Sequence, residues 1–387
     1  MKTQKTTLYT KDKPLRLESG KKLTHVEAAY QTYGTLNADG TNAILVCHAL
    51  TGNAHAAGAL LSDDISYNDN HTGDVKNNNI PPKTMYGWWD GIIGAGKAID
   101  TSKYYVICAN FLGSCYGTTG PTSMNPDTNE RYGLDFPQIT VRDMVKVQYT
   151  LLRQLGVNQL VTVTGGSLGG MQALEWALLY PDFVQSIIPI AASARHSAWA
   201  IGLNEAARNA IKADPEWQGG KYNTQPHKGL ALARMIAMIS YRSPVSFEQK
   251  FNRKKMIRNN GDIQSIFGEK ETLFEVESYL RYQGEKLANR FDANTYLCIS
   301  EAMDSHDVTR DRGTLQDVLG SITFPVLSVG INSDVLYPLN EQLEIASTSP
   351  NARYGEIDSI HGHDAFLIEF DQLQKLIPSF INEVKIK

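Results

Sequence analysis

Five short runs of the chain are apolar at nearly every position: "NAILVCHAL" (42–50), "YYVICANFLG" (104–113), "LVTVTGGS" (160–167), "QSIIPIAAS" (185–193) and "FPVLSVGINSD" (324–334). A strand with one wet face would alternate apolar and polar residues. Continuous apolarity marks strands buried on both faces of a parallel sheet. Helix-period stretches separate several of these runs. "VRDMVKVQYTLLRQLG" (141–156) predicts a helix closed by a glycine, and "MQALEWALLYP" (171–181) one stopped by a proline. Strand and helix in alternation predict an α/β fold, a mostly parallel doubly wound sheet. Ahead of it, "LRLESGKKLTHVEAAYQTYG" (15–34) reads as a hairpin turning at Gly20, the antiparallel start of the sheet.

The alternation breaks after residue 193. From 194 to 319 the pattern is helical and rich in charge and aromatics, which predicts two units: a core of 1–193 plus 320–387, and an inserted helical lid of 194–319. An insertion near the C-terminal ends of parallel strands lies over the crevice where such sheets bind ligands. A second insertion, "SDDISYNDNHTGDVKNNNIPPK" (62–83), is polar and Asn-rich, as a surface loop would be.

Composition narrows the function classes. Of 387 residues, 42% are hydrophobic and 20% charged, and the net charge of -4 gives no general attraction to nucleic acid or anionic membrane. "MKTQKTTLYTKDKPL" lacks a signal-peptide core and no run reaches the roughly 18 apolar residues of a membrane span, so the expected location is the cytoplasm. Cys47 and Cys108 sit inside apolar runs, as reduced thiols do, and no C-x-x-C pair exists among the four cysteines.

The candidate chemistry begins at Gly165-Gly166-Ser167-Leu168-Gly169, a G-x-S-x-G stretch with a predicted strand before it and a helix after it. That is the context of the nucleophile elbow of the α/β-hydrolase fold. The serine sits on a tight turn above the sheet, where neighbouring Cβ atoms would clash. Its hydroxyl needs a base, and in this fold acid and base follow in chain order. Asp334, just past the last apolar run, stands where the acid belongs. His361 and His363 are both candidates for the base, and the glycine before His363 favours it by permitting close approach to the serine. H-x-H could instead hold a metal, but the remaining histidines suggest no third ligand, so no metal is expected. The oxyanion would be held by the backbone N–H groups of Leu168 and of Leu50, in "LVCHALTGNAH", with His48 bracing that loop. Arg234 lies in the otherwise apolar "GLALARMIAMISY", so it needs either a substrate carboxylate or a lid-to-core ion pair. The basic run 250–259 could meet phosphates, but is read as a solvated helix face. A non-catalytic scaffold of this fold usually lacks a triad member, and here all three are present.

"HALTGNAH", "YGWWDGIIGAGKAIDTSKYYVICANFLGSCYGTTGPTSMNP", "DFPQITVRDMV", "GGSLGGMQALEW", "LARMIAMISYRSP", "RFDANTYL" and "GHDAF" together resemble the homoserine O-acetyltransferase family, in order from about residue 10 to the C-terminus. The Asn-rich segment 62–83 departs from the family pattern. The resemblance implies transfer of the acetyl group of acetyl-CoA to the side-chain hydroxyl of L-homoserine, toward methionine, with no permanently bound cofactor. It implies a Ser167–Asp334–His363 triad, substrate contacts from Arg234 and Asp364, and a homodimer joined through the lid helices. A ping-pong route through acyl-Ser167 follows from those parts. The alternatives are serine or succinyl-CoA as substrate, or an esterase or thioester hydrolase with water as acceptor. Absence of a cation in "ALTGNAHAAG" favours acetyl over succinyl. Serine and homoserine differ by one methylene, worth only about 1–3 kcal/mol in a pocket.

Overall fold

A computed structural model describes residues 2–60, 85–257 and 272–384. The Asn-rich segment 62–83 and the end of the basic run, 258–259, lie outside the described residues. The main sheet has eight strands: β1 (Gln4–Tyr9), β2 (Val26–Tyr33), β3 (Ala43–Cys47), β4 (Tyr105–Ala109), β5 (Leu160–Gly166), β6 (Ile187–Ile190), β7 (Val326–Ile331) and β8 (Ala352–Ile357). Their spatial order is β1-β2-β4-β3-β5-β6-β7-β8. Only β2 pairs antiparallel, with β1 and with β4; the other five pairings are parallel. Every residue of β3, β5, β6 and β7 is buried, which accounts for their continuous apolarity.

The hairpin at Gly20 forms, but not as the start of this sheet. Leu15–Arg16 and Lys22–Leu23 make a separate two-residue ribbon. The antiparallel start is β1 against β2. Side chains alternate between the two faces of β3. Ala43, Leu45 and Cys47 join a core with α1 (Val141–Gln154) and α2 (Leu168–Leu179), whereas Ile44 and Val46 join one with Trp89, Phe366 and Phe380. The helix α1 begins at a capping box between Thr140 and Asp143. Arg142 on α1 bridges Glu18 and Glu175 at 3.1 Å each, which ties the N-terminal segment to α1 and α2.

Among the described residues six α-helices fall between β6 and β7, the first five being α3 (Ala198–Lys212), α4 (His227–Tyr241), α5 (Pro244–Lys250), α6 (Glu275–Ala288) and α7 (Ala293–Asp304). The central one, α4, packs on both α3 and α6. Then come α8 (Leu315–Gly320), α9 (Leu339–Thr348) and α10 (Phe370–Val384), with Val318 and Leu319 of α8 packed in the core under the sheet. Among the described residues no helix is long and apolar enough to cross a membrane.

Candidate active site

The turn from β5 into α2 holds Ser167 at φ 60°, ψ -125°, a strained conformation for any residue with a Cβ. The strain is imposed from outside. A Cβ on Gly165 would lie 2.2 Å from the Cys47 carbonyl oxygen, and one on Gly169 2.1 Å from the same atom. The end of β3 therefore presses against the turn from below, and only glycine fits on either side of the serine. The Ser167 amide donates to Ile190 O at 2.9 Å, anchoring the turn to β6. Its hydroxyl makes no hydrogen bond among the described residues.

Asp334 follows β7 in a turn that uses both carboxylate oxygens. Oδ1 accepts the Leu336 and Tyr337 amides at 2.8 and 3.0 Å. Oδ2 lies 2.7 Å from His363 Nδ1, so that nitrogen carries the proton and Nε2 presents a lone pair. Both side chains are buried. His363 is clasped by the Tyr337, Phe366 and Tyr241 rings at 5.2, 5.5 and 5.7 Å between centroids. Phe366 also lies against the Cα of Gly166, bringing the imidazole's shell beside the serine turn. No hydrogen bond joins Ser167 Oγ to His363 Nε2 in this structure. Such contacts are often long without substrate and tighten in the complex.

The two histidine candidates separate cleanly. His361 Nδ1 faces Arg242 Nη2 at 3.4 Å, whereas His363 faces the carboxylate. Gly362 does permit a close approach, though not to the serine. It has φ +70°, and a Cβ there would sit 2.7 Å from the Ser243 nitrogen and 2.8 Å from the Arg242 carbonyl carbon. The glycine seats the histidine loop against the residues that follow α4.

The Leu168 amide opens α2 and the Leu50 amide sits in the turn after β3, closed by Gly52 N–H donating to Ala49 O at 2.9 Å. Neither amide has an acceptor among the described residues. His48 braces this turn: it stacks on Phe111 at 4.3 Å, its Nδ1 lies 2.9 Å from Ala49 O, and burial lowers its pKa to about 4. Arg290, just after α6, donates to Thr51 O at 2.9 Å and so pins the same turn to the insertion.

Above the triad, Arg234 is half-buried with its guanidinium 5.3 Å from the Tyr241 ring centroid. It makes no ion pair or hydrogen bond among the described residues. The ion pair that joins the end of α4 to the histidine loop is instead Arg242 to Asp364, at 3.8 Å. Burial pushes the Asp364 carboxyl above the ordinary range, against the pull of Arg234, His363 and Arg242. Sequence reasoning missed Arg242, Tyr241 and Tyr337, although the first two stand in the quoted "SYRSP" motif. The basic run contributes Lys250, which rests over the Phe251 and Tyr279 rings. Among the described residues no three His, Cys, Asp or Glu side chains gather to hold a metal.

Known proteins match the fold over nearly the whole chain. The family model described as alpha/beta hydrolase fold matches residues 42–370. A homoserine O-acetyltransferase of Moorella thermoacetica is 49% identical over 98% of this chain and 96% of the relative, and one of Nostoc punctiforme 49% over 96% and 95%. Among solved structures, homoserine O-acetyltransferase from Bacillus anthracis superposes with a TM-score of 0.82 at 30% identity, covering 99% of this chain and 98% of that one. Esterase E22 superposes nearly as well, with a TM-score of 0.81 at 29% identity over 98% and 100%. On sequence and fold together, this chain belongs to the homoserine O-acetyltransferase family of α/β-hydrolase-fold enzymes.

Proposed function

We propose that this enzyme moves the acetyl group of acetyl-CoA onto the side-chain hydroxyl of L-homoserine, in two half-reactions through an acetyl-Ser167 intermediate. His363, oriented by Asp334, takes the Ser167 proton as the serine oxygen attacks the thioester carbonyl. The Leu50 and Leu168 amides hold the resulting oxyanion. Collapse expels coenzyme A, whose sulfur receives the proton from His363. Homoserine then enters, His363 deprotonates its hydroxyl as it attacks the acyl carbonyl, and the proton passes from His363 to the departing Ser167 oxygen as O-acetylhomoserine is released.

The observation that carries the acceptor half is the Arg234 guanidinium, without an ion pair among the described residues, facing the ring shell of His363, with the Asp364 carboxylate close by. A free α-amino acid presents a carboxylate and an ammonium at short separation, and these two side chains match them in charge. The acetyl donor is supported by the oxyanion turn. Residues 49–58 of that turn include no lysine or arginine to pair with a succinyl carboxylate. The homodimer is supported by Leu232 and Ile239, exposed seven residues apart on α4, and by exposed Tyr282 on α6. Leu232→Glu with Ile239→Glu converts the dimer to a monomer in sedimentation; an unchanged mass rejects that interface.

Similarity to esterase E22 favours a second reading, in which water is the acceptor. Thiol release from acetyl-CoA, measured with L-homoserine, with L-serine and with neither, separates the readings. Homoserine-dependent release with O-acetylhomoserine as product supports transfer. Equal release in all three, with free acetate, rejects it.

A further inference from the structure

The Asp334 turn carries a second contact chain that leads away from the triad. Tyr337 is fully buried, and its backbone N–H is one of the two donors that orient Asp334 Oδ1. Its ring packs against His363. Its hydroxyl reaches the other way, 3.0 Å from His196 Nε2. His196 Nδ1 lies 3.1 Å from Asp304 Oδ1. That carboxylate is gripped further by Arg208 Nη1 at 2.6 Å and Asn204 Nδ2 at 2.8 Å. Arg208 and Asn204 belong to α3, Asp304 ends α7, and His196 lies in the segment between β6 and α3.

Donor and acceptor roles follow from the partners. A carboxylate at Nδ1 fixes the proton on that nitrogen, so Nε2 accepts from the Tyr337 hydroxyl. Burial pushes the Tyr337 phenol well above its usual range, which keeps it a donor. Burial also raises the Asp304 carboxyl, but hydrogen bonds from His196, Asn204 and Arg208 more than offset this and hold it below its usual range. The chain is therefore satisfied link by link, and each link has one low-energy orientation.

We propose that Tyr337 and His196 are positioning residues. Through Asp304–His196–Tyr337, the insertion helices α3 and α7 fix the turn that aims Asp334 and the ring wall that holds His363. This rests on the triad assignment above and adds a mechanical link from the insertion to the base. Neither residue need touch substrate. The link makes the position of the helices and the competence of the acid–base pair one variable, because a shift of α7 is transmitted to the Asp334 turn.

The test is Tyr337→Phe, which deletes one hydroxyl and keeps the ring, assayed by acetylation from p-nitrophenyl acetate so that the result does not depend on the acceptor. We expect kcat to fall about tenfold with KM unchanged within about twofold, since misplaced acid–base groups cost rate and leave ground-state binding intact. A less firmly held Asp334 stabilises imidazolium less, so the acid limb of the pH–rate profile moves to lower pH. The groups that face His363 and Asp334 and could also move that limb are Asp364, Arg234, Arg242, Tyr241 and Glu341, and none is altered. His196→Leu should match the Tyr337→Phe defect, His196→Gln should restore at least half of it, and the Tyr337→Phe/His196→Leu double variant should be no worse than either single one. A lower melting temperature with wild-type kcat and an unmoved acid limb overturns the proposal in favour of a purely structural role, as does a defect confined to KM. Ser167→Ala is the control: residual turnover in it would refute the triad itself, whereas its inactivity beside a wild-type Tyr337→Phe refutes only the positioning chain.

Discussion

Glu341 offers a measurement of how the charge on the acid's side of the site is balanced. It lies in the first turn of α9, partly buried, with Oε2 lacking a hydrogen-bond partner among the described residues, and its pKa is raised to about 7 by burial first and by the Asp334 carboxylate second. A carboxyl whose folded-state pKa exceeds its unfolded value costs nothing below the unfolded value, and stability is lost as pH rises through the folded one. The rise from 4.5 to about 7 corresponds to an upper bound of about 3 kcal/mol at alkaline pH. The N-terminus of α9 favours the anion by up to about 1 kcal/mol, so about 2 kcal/mol is the working figure. Glu341→Gln keeps the shape and removes the charge. With an unfolding entropy near 0.8 kcal/mol/K for 387 residues, it should raise the melting temperature by about 2–3 °C at pH 9 and change nothing at pH 4. Thermal melts of both proteins from pH 4 to pH 9 check this. A variant that is less stable at pH 9, or a gap that does not grow with pH, refutes the claim that this carboxylate is strained when ionised.

Two further substitutions probe the triad and the elbow. Asp334→Asn places a donor where His363 Nδ1 needs an acceptor, which drives the proton to Nε2 and removes the base; kcat should fall about ten-thousandfold while the fold survives, and a loss under a hundredfold in acetyl-CoA turnover would contradict the hydrogen-bond assignment. Gly165→Ala sets a methyl 2.2 Å from the Cys47 carbonyl oxygen, where backbone cannot yield, so a loss of about 3 kcal/mol in urea unfolding is expected.

The central strands were legible because burial on both faces forbids polar residues, so the sequence states its own environment. The outer strands were not. β1 and β8 are partly exposed along their lengths, and their mixed residues resemble loops. Ser167 was legible because the pressure on it is local: the glycines that betray it sit within two residues of the serine. Asp334 and His363 could be found from chain order, since the fold imposes that order. His196 and Tyr337 meet across 141 positions and neither lies in a motif of its own. Arg242 was hidden differently. A lone arginine at a helix end looks solvated until the histidine loop is folded onto it.

The resemblance to esterase E22 across the whole fold moves the question of transfer against hydrolysis away from the triad and onto Asp364. An esterase and an acetyltransferase can share serine, base and oxyanion amides; only the acceptor site must differ. If Asp364 binds the acceptor's ammonium, Asp364→Asn should leave p-nitrophenyl acetate cleavage within about threefold of wild type and raise the homoserine KM by about 10–150-fold, the worth of one charge-assisted hydrogen bond. The pH dependence has a fixed sign. The Asp364 carboxyl is held above the usual carboxylate range, so as pH falls it protonates sooner than an ordinary aspartate would, and homoserine binding weakens from that higher pH downward. In the variant that acid-side rise of KM disappears while the His363 limb of kcat remains. Equal losses in both reactions would mean that Asp364 serves the base through Arg242 and the histidine loop, and the acceptor's ammonium would then need another partner.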